Sequence, residues 1–146
     1  MPSFCINLSV LEQGELLEIA RQSIASGLAV GRALHLDIDR LSGNFSVLSG
    51  TFVTLTQLGQ LRGCIGSLES TDPLAQSVAN AAFNAAFHDT RFTPLKADEI
   101  KDIQLEISVL SELEPFAVSN RSELLDRLTA GEDGLLLEDG SYRSTF

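Results

Sequence analysis

The chain has 146 residues, 44% of them hydrophobic, and a formal net charge of −10. That length suits one domain with a sizeable core, and the acidic balance repels phosphate backbones, so a nucleic-acid partner is not expected. No apolar run approaches the roughly 18 residues of a membrane span, so no membrane partner is expected, and the N-terminus lacks a secretory signal. Two cysteines, Cys5 and Cys64, make no disulfide framework, and a reduced, cytoplasmic protein is the expectation. The charge is uneven: residues 98–146 hold 12 acidic and 4 basic side chains, whereas residues 1–97 hold 8 and 6.

An amphipathic helix is predicted over about residues 9–27. Ser9 and Glu12 have capping-box spacing. Leu16, Leu17, Ile19, Ala20, Ile24 and Leu28 recur at helical period, and Gly27 reads as the stop. The following stretch to Gly50 is rich in Gly and Ser and reads as connection. "TFVTLTQ" and "QLRGCIG" then read as a β-hairpin. A two-residue loop would put Leu58 at positive φ, which is costly for leucine. A three-residue loop with Gly59 left-handed is therefore expected. That register sets Val53, Leu55, Leu61 and Ile65 on a core face and Thr54, Thr56, Arg62 and Cys64 on the other.

Thr71 or Asp72 is expected to cap a second helix, with Pro73 at its first position. Ala75, Ala79, Ala82 and Ala86 form a small-residue stripe along it, and Phe83 and Phe87 lie one step round. "IQLEISVL" alternates Ile103, Leu105, Ile107 and Val109 against Gln104, Glu106 and Ser108, the pattern of a half-buried strand. A short helix capped by Ser119 or Asn120 follows. The chain closes on a hairpin over an Asp139-Gly140 turn, and its stop at Phe146 inside a strand suggests either that a C-terminal segment is absent or that another element pairs there. The order of elements reads as α+β, with a mainly antiparallel sheet and flanking helices.

Three clusters hold candidate chemistry. Cys64 shares a predicted strand face with Arg62, whose guanidinium would favour the reactive thiolate or bind an anion. Gly63 and Gly66 would let a ligand approach. On spacing alone the structural reading leads: Cys64 as a small buried hydrophobe and the glycines as a bulge or tight packing. His88, Asp89 and Arg91 follow a helix C-terminus: His88 as a base for Cys64 with Asp89 orienting it, or His and Arg placed there for dipole reasons. Glu106 and Ser108 lie on the polar face of their strand, where Glu106 would pair with Arg62 or act as a base, or simply face solvent. His35, His88, Cys5 and Cys64 have no metal-ligand spacing, and no metal is expected. Phosphate loops and serine elbows are absent.

"GTFVTLTQLGQLRGCIGSLES" followed by "DPLAQSVANAAFNAAFHDTRFTPL" resembles the AMMECR-type domain family, whose bacterial and archaeal members are called protein A of the AmmeMemoRadiSam system. "LEISVLSELEPF" and "GLLLEDGSYRSTF" extend the likeness from about Leu8 to Phe146. The resemblance implies an α+β fold with a smaller second lobe. The family's hallmark hexapeptide, LRGCIG, stands here unbroken, and the resemblance carries over Arg62, Gly63, Cys64, Ile65 and Gly66 of it. Asp89, Arg91 and Phe92 match its D-x-R-F element, and Glu106 and Ser108 its E-h-S-V-L strand. His88 is outside that pattern. Family members continue past the last strand, so one domain over residues 1–146 lacking that C-terminal segment is expected. The family's genes accompany a radical-SAM enzyme and a Memo-type protein, which implies a shared modification pathway. The resemblance points to a fold and a site position, and the residues leave two roles open: Cys64, Arg62 and Glu106 as catalytic groups with Gly63, Gly66, Asp89, Arg91 and Ser108 binding substrate, or a non-catalytic binding or scaffold domain in which RGCIG is structural.

Overall fold

The computed structural model describes residues 6–145, so Cys5 and Phe146 lie outside it. The elements are α1 (Val10–Val30), β1 (Thr51–Gln57), β2 (Gln60–Ser67), α2 (Leu74–Phe87), β3 (Ile103–Val109), α3 (Arg121–Arg127), β4 (Leu136–Asp139) and β5 (Tyr142–Thr145). One sheet has the order β2-β1-β3 and the other pairs β4 with β5, and both are antiparallel. The fold is α+β, as the pattern of elements predicts. The chain divides into two compact units, one ending at Glu112 and the other beginning at Leu113.

In the first unit, α1 begins as its sequence dictates. The Ser9 hydroxyl accepts the Glu12 N–H at 3.2 Å, and the Glu12 carboxylate accepts the Ser9 N–H at 2.8 Å, which satisfies two orphan donors. The stop expected at Gly27 is not there. The helix runs to Val30, and Gly31 ends it at φ 72°, its N–H donating to the Gly27 carbonyl. Gly27 is bare for another reason: the rings of Phe87 and Phe83 occupy the space a Cβ would take. A periodicity argument reads only the helix's own residues and misses that contact.

The second helix starts at Leu74, one residue later than expected, with Pro73 at the N-cap position and no side-chain cap. Its alanine stripe is buried throughout. Buried Ser23 of α1 donates to the Ala79 carbonyl at 2.6 Å and accepts the Leu34 N–H at 3.0 Å, tying both helices to the connection. Leu16, Ile24, Val53, Leu55, Leu74 and Val78 are the largest fully buried apolar side chains of the core.

The β1–β2 loop has two residues, not three. Leu58 and Gly59 both lie at positive φ, 51° and 78°, the type I′ geometry whose twist suits a hairpin. Gln57 pairs with Gln60 and Thr56 with Leu61, and then a bulge intervenes, so that Leu55 meets Gly63, Thr54 meets Cys64 and Val53 meets Ile65. Arg62 is the extra residue. The bulge restores beyond itself the pairing a longer loop would have set, so Val53, Leu55 and Ile65 do share the core side. Before the bulge the alternation is inverted: Leu61 is 45% exposed and Arg62 only 8%. Arg62 therefore does not share a face with Cys64. A bulge places two residues opposite one and breaks the period-two rule on which that expectation rested.

β3 follows its alternation, with Thr54 opposite Glu106 and Phe52 opposite Ser108. In the second unit, Asn120 caps α3 by accepting the Glu123 N–H at 2.9 Å. The Arg127 guanidinium stands 4.1 Å from the Phe116 ring centroid and donates to the Ala117 carbonyl at 2.8 Å. The last hairpin turns on Gly140 and Ser141, with Gly140 at φ 60°, because Asp139 still pairs with Tyr142. No described helix is long and apolar enough to cross a membrane.

Candidate functional site around Cys64

β2 is an edge strand, and Cys64 lies in its middle. Its backbone N–H points off the sheet and donates to Asp89 Oδ2 at 2.9 Å. Its carbonyl oxygen accepts from Arg91 Nη2 at 3.4 Å. Asp89 and Arg91 thus satisfy the two backbone groups that a further strand would otherwise pair. The clasp is stiff because its own parts are bonded. Arg91 donates to Asp89 from Nε at 3.0 Å and from Nη2 at 2.7 Å, and the Arg91 backbone N–H adds a third bond at 3.2 Å. The Asp89 side chain is 4% exposed. The Arg91 guanidinium, helped by the two backbone N–H groups, holds the buried Asp89 carboxyl far below the usual carboxylate range.

The Cys64 side chain is half-buried, on the sheet face away from the helices, and its Sγ accepts a hydrogen bond from the Thr54 hydroxyl at 3.3 Å. Glu106 lies opposite Thr54 on the far side, so Cys64, Thr54 and Glu106 form a row across three strands. Glu106 is exposed. Ser108 sits one pair along, opposite Phe52, which is itself opposite Gly66.

The other motif residues face elsewhere. Arg62 reaches Glu99 with Nε at 3.0 Å and Nη2 at 3.1 Å, and its buried Nη1 has no hydrogen-bond partner among the described residues. The Arg62 guanidinium and the Lys96 N–H hold the Glu99 carboxyl below its ordinary value. Gly63 lies against α2, where a Cβ would overlap the Ala85 carbonyl. At Gly66 a Cβ would overlap the Thr51 carbonyl and Phe52 of the neighbouring strand. His88 joins Asn84 at 2.9 Å and packs edge-on to Phe83. Asp89 is bonded to Arg91 and to the Cys64 backbone instead of orienting His88.

The cation whose guanidinium contacts Cys64 is therefore Arg91, not Arg62, and the carboxylate paired with Arg62 is Glu99, not Glu106. Glu99 carries no local signal: it stands 37 residues from Arg62 in "ADEIKD". Thr54 was visible as a face-mate of Cys64 once the hairpin register was drawn. Among the described residues no group of three or more His, Cys, Asp or Glu is arranged to hold a metal.

An α+β domain with its hexapeptide on an edge strand and a D-x-R clasp behind it defines a class that comparison with known proteins identifies. The AMMECR1 family model matches residues 17–146, and the chain belongs to that family. A protein of Methanothermobacter thermautotrophicus is 41% identical over 136 residues, covering 93% of this chain and 70% of its own length. A protein of Saccharolobus islandicus is 40% identical over 134 residues, covering 88% of this chain and 58% of its own. The crystal structure of an uncharacterized protein from Pyrococcus horikoshii superposes with a TM-score of 0.76 at 30% identity, over 90% of this chain and 66% of that one. The chain thus spans between about three fifths and seven tenths of these relatives.

Proposed function

We propose that the protein is a cytoplasmic component of a modification pathway shared with a radical-SAM enzyme and a Memo-type protein, and that the outer sheet face around Cys64 is its working surface. The family resemblance supports the pathway. One observation carries the site: the Cys64 backbone is fixed by a buried carboxylate–guanidinium clasp, while its thiol, receiving the Thr54 hydroxyl, stays on a half-open face. Preorganising a side chain through its own backbone is how a fold holds a group that meets a substrate. In this reading Cys64 is the substrate-contacting thiol and Glu106 the proton-accepting or pairing group across the row. Ser108 and Gly66 border the face, Asp89 and Arg91 position Cys64, and Arg62 and Gly63 hold the strand to α2 and its following loop. Iodoacetamide labelling of the folded protein across pH tests it. Cys64 is expected to react without denaturant, and a thiol that labels only after unfolding would end the proposal.

A second reading is favoured by a different observation. Arg62 is bound to Glu99, Gly63 abuts Ala85, and Asp89 and Arg91 are consumed by the edge clasp, so most of the motif serves the fold. The domain is then a binding or scaffold module without chemistry. Pull-down and activity of the pathway with Cys64→Ala and Arg62→Ala separate the two. Loss with Cys64→Ala alone supports the thiol, and retention with both supports the scaffold.

A further inference from the structure

β3 is the other edge of the three-stranded sheet. The Leu110 N–H donates to the Gly50 carbonyl at 2.9 Å, and in an antiparallel ladder bonded pairs alternate. With Phe52 opposite Ser108, Thr54 opposite Glu106 and Thr56 opposite Gln104, the even-numbered residues of β3 bond to β1. The backbone groups of Leu105, Ile107 and Val109 then point away from the sheet. Beside them lies a cavity of about 450 Å³, walled by Leu8 and Leu17 and rimmed by Glu106.

Sheet edges are ordinarily blunted by lysine, proline, bulges or shortness. β3 is seven residues long and has none of these, and its one charge is Glu106. We propose that this edge takes up an extended segment of a partner protein, with aliphatic side chains on one face and basic side chains on the other. Among the described residues nothing pairs with these N–H and C=O groups, and they require an extended strand, since a helix has used its own. The leucine wall accepts the aliphatic face. Glu106 on the rim and three glutamates against one arginine along α1 select the basic face. Glu106 also stands in the row proposed around Cys64, but the backbone groups of Leu105, Ile107 and Val109 do not, so their exchange reads this edge separately from the reading of Cys64.

The probe is the peptide acetyl-Thr-Val-Lys-Val-Lys-Val-Thr-amide, with a scrambled peptide of the same composition as control. Amide exchange is followed by NMR in the full chain. The Leu105, Ile107 and Val109 amides are expected to exchange fast in the protein alone and to slow on the order of tenfold or more with the peptide. The scrambled control is expected to leave them unchanged. Ile107→Pro removes an N–H that faces away from β1 and is expected to abolish binding. Exposed Glu106→Lys, which preserves packing, is expected to weaken it about tenfold or more. Equal protection by both peptides, or none by either, overturns the proposal. So does protection in the protein alone, which means a second copy if it rises with concentration and the chain's own residues if it does not.

Discussion

Asp89 accepts the Cys64 N–H, the Arg91 N–H and two bonds from the Arg91 guanidinium, all in a nearly sealed position. Its folded-state carboxyl is depressed below the ordinary value near 4, so the folded protein resists the proton that the unfolded chain accepts. Its stabilisation is complete above the unfolded pKa and is lost as pH falls from there toward the folded value. Asp89→Asn keeps one acceptor oxygen but loses the charge. Because Arg91 is itself more than half exposed, a cost of about 1–2 kcal/mol at neutral pH is expected. The variant's unfolding midpoint should also depend less on pH below about 5 than that of the parent. Thermal melts of both proteins from pH 2 to 7 check this, and parallel profiles would contradict it.

Close approach between elements decides the glycines. Gly27, one of two interior glycines of α1, looks like a weak point by helix propensity alone, where Ala is favoured by about 1 kcal/mol. The Phe83 and Phe87 rings fill the place of its side chain, so Gly27→Ala adds volume to a closed contact, and overpacking typically costs about 1–3 kcal/mol. The packing effect wins, and a lowered midpoint in urea with an unchanged slope is the expected outcome. A raised midpoint would show that α1 and α2 separate at no cost. The β1–β2 hairpin shows the opposite balance. Leu58 holds an unfavourable φ because the type I′ loop matches the strand twist, and one bulge then corrects the register.

At the scale of the molecule, the buried cluster lies between Leu16 and Ile103, within the unit that ends at Glu112. The second unit contains a seven-residue helix and a two-stranded hairpin, a combination too small to be stable alone in water. A chain ending at Glu112 is expected to keep a single cooperative unfolding transition, and residues 113–146 alone are expected to show none. Far-UV circular dichroism melts of the two pieces test this, and a broad, non-cooperative melt of the longer piece would refute it.

The sequence by itself determined the elements whose cause is local. The Ser9–Glu12 capping box, the alanine stripe of α2, the alternation of β3 and a cap for α3 at Ser119 or Asn120 are each a matter of residues three or four apart or of a simple period. The family hexapeptide and the D-x-R-F element were legible too, as words. Tertiary structure alone decided what those words do. The bulge at Arg62 moved its side chain off the Cys64 face, because an extra residue in one strand leaves no mark on the period of its neighbours. Glu99 became the partner of Arg62, and Asp89 with Arg91 became the clasp on the Cys64 backbone, through contacts 37, 25 and 27 residues apart. Such pairings arise when the chain folds back on itself, and spacing along a strand or helix cannot encode them.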